Sequence, residues 1–492
     1  MRTVLHNMKN KLKKPKPMNP NLPPLTPLTS PWMHRLVADF ELQEALVQRW
    51  QSPLNIHHLG AFQENCREYR QILDTYNFNS RIFFARKANK FKNLIPAAVD
   101  AGAGIDTASF RELEQCLELG IPADQLISTA AIKEDRLITL AVTHGVLLIL
   151  DNTDELEHVM RVAAHLNKQA QIGIRISGFN FKGEKLYSRF GFDIDEVEAI
   201  IHRFCDSPEA GSQLNLRGFH FHLDGYSTAQ RGAALHQTLD LIIRLNLKSQ
   251  EPVFIDIGGG VLMNYLSSQQ EWNIFQETLK EAVGGERMPI TFGNDGLGFT
   301  LRDGEVEGSL ATYPYFNEYT KESFLKEILE TPDASGNTVA QRLEQEHREL
   351  RLEPGRSLLN QVGVTLARVV HRKKDSRGDH LVGLEMNMSQ LKSSSADFLL
   401  DPFVSFKNPD PQAEPVAVYF TGAYCLERDV LLKRKIQLAQ LPKPGDVVCF
   451  VNTAGYMMHF FETEAHLFER ATNLSVEKPD GPYQPQDFNP EK

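Results

Sequence analysis

From residue 81 onward the chain alternates short apolar runs with amphipathic stretches of helical length. The runs are IFFAR (82–86), GIDTAS (104–109), LIST (126–129), VLLILD (146–151), IGIRIS (172–177), LRGFHFHL (216–223), VFIDIGGG (253–260) and LRLEPGR (350–356). Between them, segments such as SFRELEQCLELG (109–120) and DIDEVEAIIHRF (193–204) place apolar residues at helical spacing. Eight strand–helix units in succession predict an α/β fold of the (β/α)8 TIM-barrel type, in which chemistry sits at the carboxyl ends of the strands.

The pattern changes after residue 360. VGVTLARVVHRK, HLVGLEMNMS, PVAVYFTGAYC and GDVVCFVNTAGY are β-rich runs without helical periods between them, so 361–475 is expected to form a C-terminal β-sandwich or β-barrel-like domain. The barrel is assigned to 33–360, with residues 33–49 as a candidate addition to the second domain. Some ninety residues separate the seventh and eighth runs, more than a βα crossover needs, and 281–345 is read as an insertion. Near the barrel mouth it would serve as a lid, a substrate-selecting element or an oligomer contact. Residues 1–32, basic and Pro-rich, are expected to be a disordered arm, and 476–492 an extended tail.

With 492 residues, 41% hydrophobic and 24% charged, the chain can bury a substantial core. A net charge of −10 speaks against nucleic acid as a partner. Five scattered cysteines without a CxxC pair suit a reducing compartment and give no zinc-ribbon spacing. Without an apolar run of bilayer length or a secretory leader pattern, the expected location is the cytoplasm, with no membrane partner.

Unusual residues fall at the strand ends. Lys87 closes the first run, Asp106 and Ser109 lie in the second, Arg175 in the fifth, and His220 and His222 in the sixth. Gly258, Gly259 and Gly260 close the seventh, and Glu353 and Arg356 the eighth. A lysine on an apolar strand is usually one that has reached the surface; one sharing a mouth with this polar set is a candidate for chemistry. His220 and His222 alternate and face one side. Such a pair can ligate zinc, but no third and fourth ligands stand at comparable strand ends, so no metal is expected and His220 is read as a satisfied core histidine.

In this order, FFARKANK, DTASFREL, SRFG, GFHFHL, DIGGG, EPGR and GAYCLERD resemble the motifs of the fold-type III pyridoxal-phosphate decarboxylases, the group of ornithine, diaminopimelate and biosynthetic arginine decarboxylases. The resemblance spans roughly residues 50–465 and implies a decarboxylase of an amino acid or amino-acid-like metabolite, a carboxy-lyase with pyridoxal 5′-phosphate as cofactor. It implies that Lys87 forms the Schiff base, burial favouring its neutral amine, and that Glu353 keeps the ring nitrogen protonated. His222 would stack on the ring, with Asp106 and Arg175 also in the cofactor site. Gly258, Gly259, Gly260, Arg356 and Tyr456 would hold the phosphate. Cys425, framed by Gly422 and Asp429, would enter a partner subunit's site and deliver a proton, which implies a homodimer.

The match departs at four places. Arg86 stands beside the lysine, where alternation turns it away from the barrel interior. HLDGYS puts Asp224 and Gly225 where a glycine and a phosphate-binding serine are expected, leaving Ser227 as a substitute. Ala423 replaces a proline. Leu426 stands where an acid receives the substrate's distal ammonium, so the substrate stays open unless Glu427 or Glu318 takes that part. A racemase on the same barrel and a catalytically silent, partner-binding relative are the alternative readings, with a metal-dependent barrel hydrolase more distant.

Overall fold

The computed structural model describes residues 22–205, 212–247, 253–393, 398–478 and 482–491. Eight parallel strands close into a barrel: β2 (Asn79–Ala85), β3 (Gly104–Thr107), β4 (Leu126–Ser128), β5 (Leu147–Leu150), β6 (Ala170–Ser177), β7 (Leu214–His220), β8 (Phe254–Asp256) and β9 (Glu349–Leu352). β9 lies between β8 and β2, and β6 pairs with β7 to complete the ring. Each predicted run therefore contributes one barrel strand.

Small and large residues interlock inside the ring. Phe83, Ile127, Leu147, Ile149 and Phe254 form a separate buried cluster. A Cβ on Gly104 would stand 2.5 Å from the Phe83 ring, and one on Gly218 2.5 Å from that of Phe254. The glycines thus give the two phenylalanines room, and this plug fills the barrel.

Local chemistry starts the outer helices. Ser109 caps Phe110–Glu118, Asn152 caps Thr153–Leu166 and Ser227 caps Thr228–Leu245, each accepting a hydrogen bond from a first-turn amide. Gly145 and Asn246 end their helices in the left-handed conformation.

The second domain is a curled, mostly antiparallel sheet. It comprises β10 (Gly363–Lys374), β11 (His380–Leu384), β12 (Phe403–Ser405), β13 (Val416–Thr421), β14 (Ile436–Leu438), β15 (Val447–Val451), β16 (Thr472–Val476) and β17 (Phe488–Pro490). One strand comes from the other end of the chain: β1 (Leu54–His58) lies antiparallel to β10 and parallel to β16. Helices Pro31–Ala38 and Phe40–Trp50 pack on the same sheet through Trp32, Met33, Leu36, Leu42 and Leu46. The N-terminal segment through residue 58 thus joins the β domain, beyond the 33–49 considered from sequence, and the barrel proper begins later than residue 33.

Two further expectations change. Of the predicted disordered arm, residues 1–21 lie outside the described residues, but Leu25 is fully buried and the Leu28 amide bonds the Tyr265 carbonyl. The tail is anchored rather than free, since Tyr483 and Phe488 are buried and β17 pairs with β16. Apolar residues at these positions outweigh the turn-forming prolines around them.

The insertion divides in two. Helices Lys321–Leu329 and Val339–Gln345 lie against Thr228–Leu245 in the barrel's outer layer. Residues 263–315 instead pack with the β domain, Tyr265, Trp272, Phe275, Tyr313 and Tyr315 sharing a core with Val369, Phe420 and Phe450. This stretch binds the two domains together and brings Tyr313 to the mouth. Among the described residues no helix is long and apolar enough to cross a membrane.

Candidate active site

Lys87 lies in a 3-10 turn, Arg86–Ala88, directly after β2. The two adjacent cations diverge. Arg86 is 1% exposed and points outward, donating to the Glu112 carbonyl at 2.8 Å and to the Gln115 side chain. Lys87 turns into the mouth, its Nζ 3.3 Å from Asp106 Oδ2 on β3. Thr129 Oγ1 donates to the other Asp106 oxygen at 2.6 Å. Burial pushes the ammonium pKa down as the sequence suggested, but Asp106 and Glu353 outweigh it and the net shift is upward. The pull of these carboxylates runs against the neutral amine expected from burial alone.

The β domain clamps this turn. Asn89 Nδ2 donates to the Ala454 carbonyl at 3.0 Å and lies 3.1 Å from His57 Nε2. The Tyr456 amide donates to the Ala88 carbonyl at 2.8 Å, with Tyr456 held at φ 72°.

Glu353, just past β9, is 2% exposed, and its Oε1 lies 3.3 Å from His220 Nε2. Asp256 on β8 completes a buried trio whose ligand atoms all lie within 4.8 Å of one another. Both His220 nitrogens, Glu353 Oε1 and Asp256 Oδ2 have no hydrogen-bond partner. This overturns two expectations, that His220 is a satisfied core histidine and that no further ligand-type groups meet a barrel histidine. The neighbours come from strands far apart in sequence, which residue spacing does not reveal. Burial and then Glu353 push the Asp256 carboxyl well up, burial raises Glu353, and burial then Arg175 push His220 well down. Burial thus favours the uncharged form of each of the three groups.

The three glycines each leave space for a different group. A Cβ on Gly258 (φ 67°) would meet the His222 ring at 2.5 Å, and one on Gly259 the Glu353 carbonyl at 2.6 Å. One on Gly260 (φ 79°) would meet the Arg231 guanidinium at 2.6 Å. Lys87, His222, Gly259, Gly260, Glu353, Arg356 and Tyr456 line one cavity, together with Tyr226 and Tyr313. The Arg356 guanidinium lies 4.3 Å from the Tyr313 ring centre and 5.1 Å from that of Tyr456, and donates to the Gly455 carbonyl at 3.1 Å. Arg175, on β6, stacks on Phe190 at 4.2 Å and approaches Asp151 at 3.8 Å; the Asp151 carboxylate accepts from the Gly191 amide. The SRFG segment thus packs against Arg175.

Other candidates are placed apart. Cys425 is exposed on the loop after β13 and does not line the cavity. Its frame has a structural cause, because Asp429 accepts from the Tyr424 and Met388 amides at 2.7 Å and fills the space of a Gly422 Cβ. Leu426 is 44% exposed. Neither Glu318 nor Glu427 lines the cavity. Ser227 accepts from the Gln230 amide as a helix cap and does not line the cavity. Tyr226, Arg231, Asp256 and Tyr313 went unnoticed in the sequence; a polar residue at the end of an apolar run was the available signal for Asp256, and none marked Tyr313.

Residues 59–292 match the pyridoxal-binding domain of the pyridoxal-dependent decarboxylases. Over just under half of its length the chain is similar to that family. An uncharacterized protein, y4yA, of Sinorhizobium fredii is 29% identical over 419 residues, covering 84% of this chain and 85% of that protein. The L-glutamyl-[BtrI acyl-carrier protein] decarboxylase of Niallia circulans is 22% identical over 459 residues, covering 89% and 92%. Among solved structures, diaminopimelate decarboxylase of Helicobacter pylori complexed with L-lysine superposes with a TM-score of 0.65 at 17% identity, covering 91% of this chain and 95% of that one. The matched family is that of the pyridoxal-dependent decarboxylases, and the solved decarboxylase shares this chain's barrel and β domain.

The residues present fit the family's cofactor. An unpartnered, buried Glu353 oxygen suits a protonated ring nitrogen, Lys87 shares the cavity with it, and the glycine turn beside Arg356 suits a phosphate.

Proposed function

We propose that this protein is a pyridoxal-phosphate-dependent decarboxylase of an amino acid or amino-acid-like metabolite. The observation that carries the reading is one cavity shared by Lys87, His222 and Glu353, with Gly259, Gly260, Arg356 and Tyr456 lining the same space. Lys87 would hold the cofactor aldehyde, Glu353 the ring nitrogen, His222 a ring face, and the glycine turn with Arg356 and Tyr456 the phosphate. The bound cofactor supplies a sink for the electron pair left when carbon dioxide departs. Glu353 would keep a proton at the ring nitrogen, with the Asp256 carboxyl, pushed well up by burial and then by Glu353, beside it. Asp106 and Thr129 orient the Lys87 amine.

Cys425 of a second copy would complete the site and return a proton to the product carbon. Its exposure, and that of Leu426, Phe460, Phe461, Leu467 and Phe468, supports burial of this face in a homodimer. Among the described residues the acid that lines the cavity is Glu353, which the ring nitrogen would occupy, and setting a distal ammonium against Leu426 would cost several kcal/mol. The substrate is therefore read as carrying an uncharged or anionic distal end. The Niallia circulans relative, whose name gives an L-glutamyl acyl-carrier substrate, supports such a distal end.

Carbon dioxide release from L-amino acids with cationic, neutral and anionic distal ends, and from glutamyl thioesters, tests the reading. Release is expected from the neutral or anionic class and to be lost in Lys87→Ala. No release from any substrate, or release that survives Lys87→Ala, would refute it.

A further inference from the structure

Helix Thr228–Leu245 begins with no acidic residue in its first turn and has Arg231 there instead, 1% exposed. A buried cation at a helix N-terminus opposes the helix dipole and has been removed from water, so something must offset both costs. Arg231 donates to three carbonyl oxygens, Gly225 at 2.9 Å, Ser227 at 3.2 Å and Leu223 at 3.4 Å, and lies 5.6 Å from the centre of the Phe324 ring. Arg231 Nε has no partner. Asp224, the acid of the same loop, is exposed and turns its carboxylate to the Gly225 amide. The guanidinium backs the glycine turn, its Nη2 occupying the position 2.6 Å from where a Gly260 Cβ would stand. The same turn lines the cavity with Arg356.

From this geometry we infer that Arg231 is the second cation of the phosphate site. It offsets the loss of the expected serine where Asp224 and Gly225 stand, and the phosphate dianion is the counter-charge it lacks in the chain. The inference rests on the reading of the Lys87 cavity as a cofactor site.

The test compares pyridoxal 5′-phosphate with pyridoxal, which lacks only the phosphate, in wild type, Arg231→Gln and Arg231→Lys. Affinity is read from visible absorbance, and the melting temperature of the cofactor-stripped chain is read with and without inorganic phosphate. Arg231→Gln is expected to weaken the phosphate ester about tenfold or more while changing pyridoxal less than about twofold, and to lose the rise in Tm given by inorganic phosphate. Arg231→Lys keeps the charge without the guanidinium fork and is expected to retain the preference for the ester. Equal loss of both aldehydes in Arg231→Gln, or no loss of either, overturns the inference. So does a Tm loss in Arg231→Lys that is the same with and without phosphate, which would make the residue a tie between carbonyls. A wild-type chain that binds neither aldehyde refutes the cofactor reading itself, whereas a wild type that binds both while Arg231→Gln matches it refutes Arg231 alone.

Discussion

Glu353 Oε1 and His220 Nε2 face each other at 3.3 Å, each side chain about 1% exposed, without the alignment of a hydrogen bond. Together with Asp256 they leave acceptor and donor capacity unspent at the centre of the mouth. Glu353→Gln keeps the shape but cannot hold a proton at a ring nitrogen through its charge. It is expected to retain bound cofactor and lose about 10²-fold or more in kcat, the scale of removing a preorganised group that faces developing charge. Single-turnover decarboxylation of the cofactor-loaded variant checks this.

Asp256 makes a separate pH prediction. Its folded carboxyl is pushed above the unfolded value of about 3.9. The native chain thus keeps a proton that the unfolded chain has released, and the stability this contributes is fully present below pH ~3.9 and declines as pH rises. Asp256→Asn removes that dependence. The difference in Tm, wild type minus Asp256→Asn, is expected to shrink steadily from pH 4 to pH 8; a constant difference would show that Asp256 is ionised in the native state.

Gly258 stands at φ 67° with the His222 ring 2.5 Å from where its Cβ would be. Gly258→Ala therefore strains the backbone by roughly 1 kcal/mol or more and displaces His222. Expected are a lower Tm and a cofactor affinity reduced about tenfold, measured by equilibrium titration at the visible band. Unaltered affinity would argue that His222 does not contact the ring.

His57 links strand β1 to the lysine turn, stacked on Phe91 at 4.4 Å between ring centres and buried. Burial lowers its pKa to about 3. Because the folded value lies below the unfolded one of about 6.5, the stability it contributes is whole above pH ~6.5 and is lost as pH falls, at about 1.4 kcal/mol per pH unit. His57→Gln is expected to flatten the acid limb of stability against pH by one proton, as measured by urea unfolding between pH 6.5 and 4.

The proposed sharing of the site between copies predicts complementation. Lys87→Ala and Cys425→Ala homodimers should each be nearly inactive, and mixing them should restore up to about a quarter of wild-type activity, because one hybrid site keeps both residues. Mixtures no more active than the parents would place Cys425 outside the reaction.

The barrel was legible because each buried strand is a short apolar run bounded by helical periods, so local pattern and final burial agree. β1 was not: LNIHH carries two histidines and an asparagine, all buried, and becomes a strand only because β10 and β16 flank it. The same distinction divides the site. Lys87, His222, Glu353 and the glycines lie in motifs readable one at a time. Tyr313 reaches the cavity from the insertion, and Arg231 gains meaning only from the turn at Gly260, a contact between separate barrel loops.

The central claim is covalent attachment at one lysine. Borohydride reduction of the protein incubated with pyridoxal 5′-phosphate, followed by peptide mass mapping, tests it directly. A single pyridoxyl adduct is expected on the peptide containing Lys87, absent in Lys87→Ala. An unmodified Lys87 peptide, or an adduct of equal yield on another lysine, would contradict it.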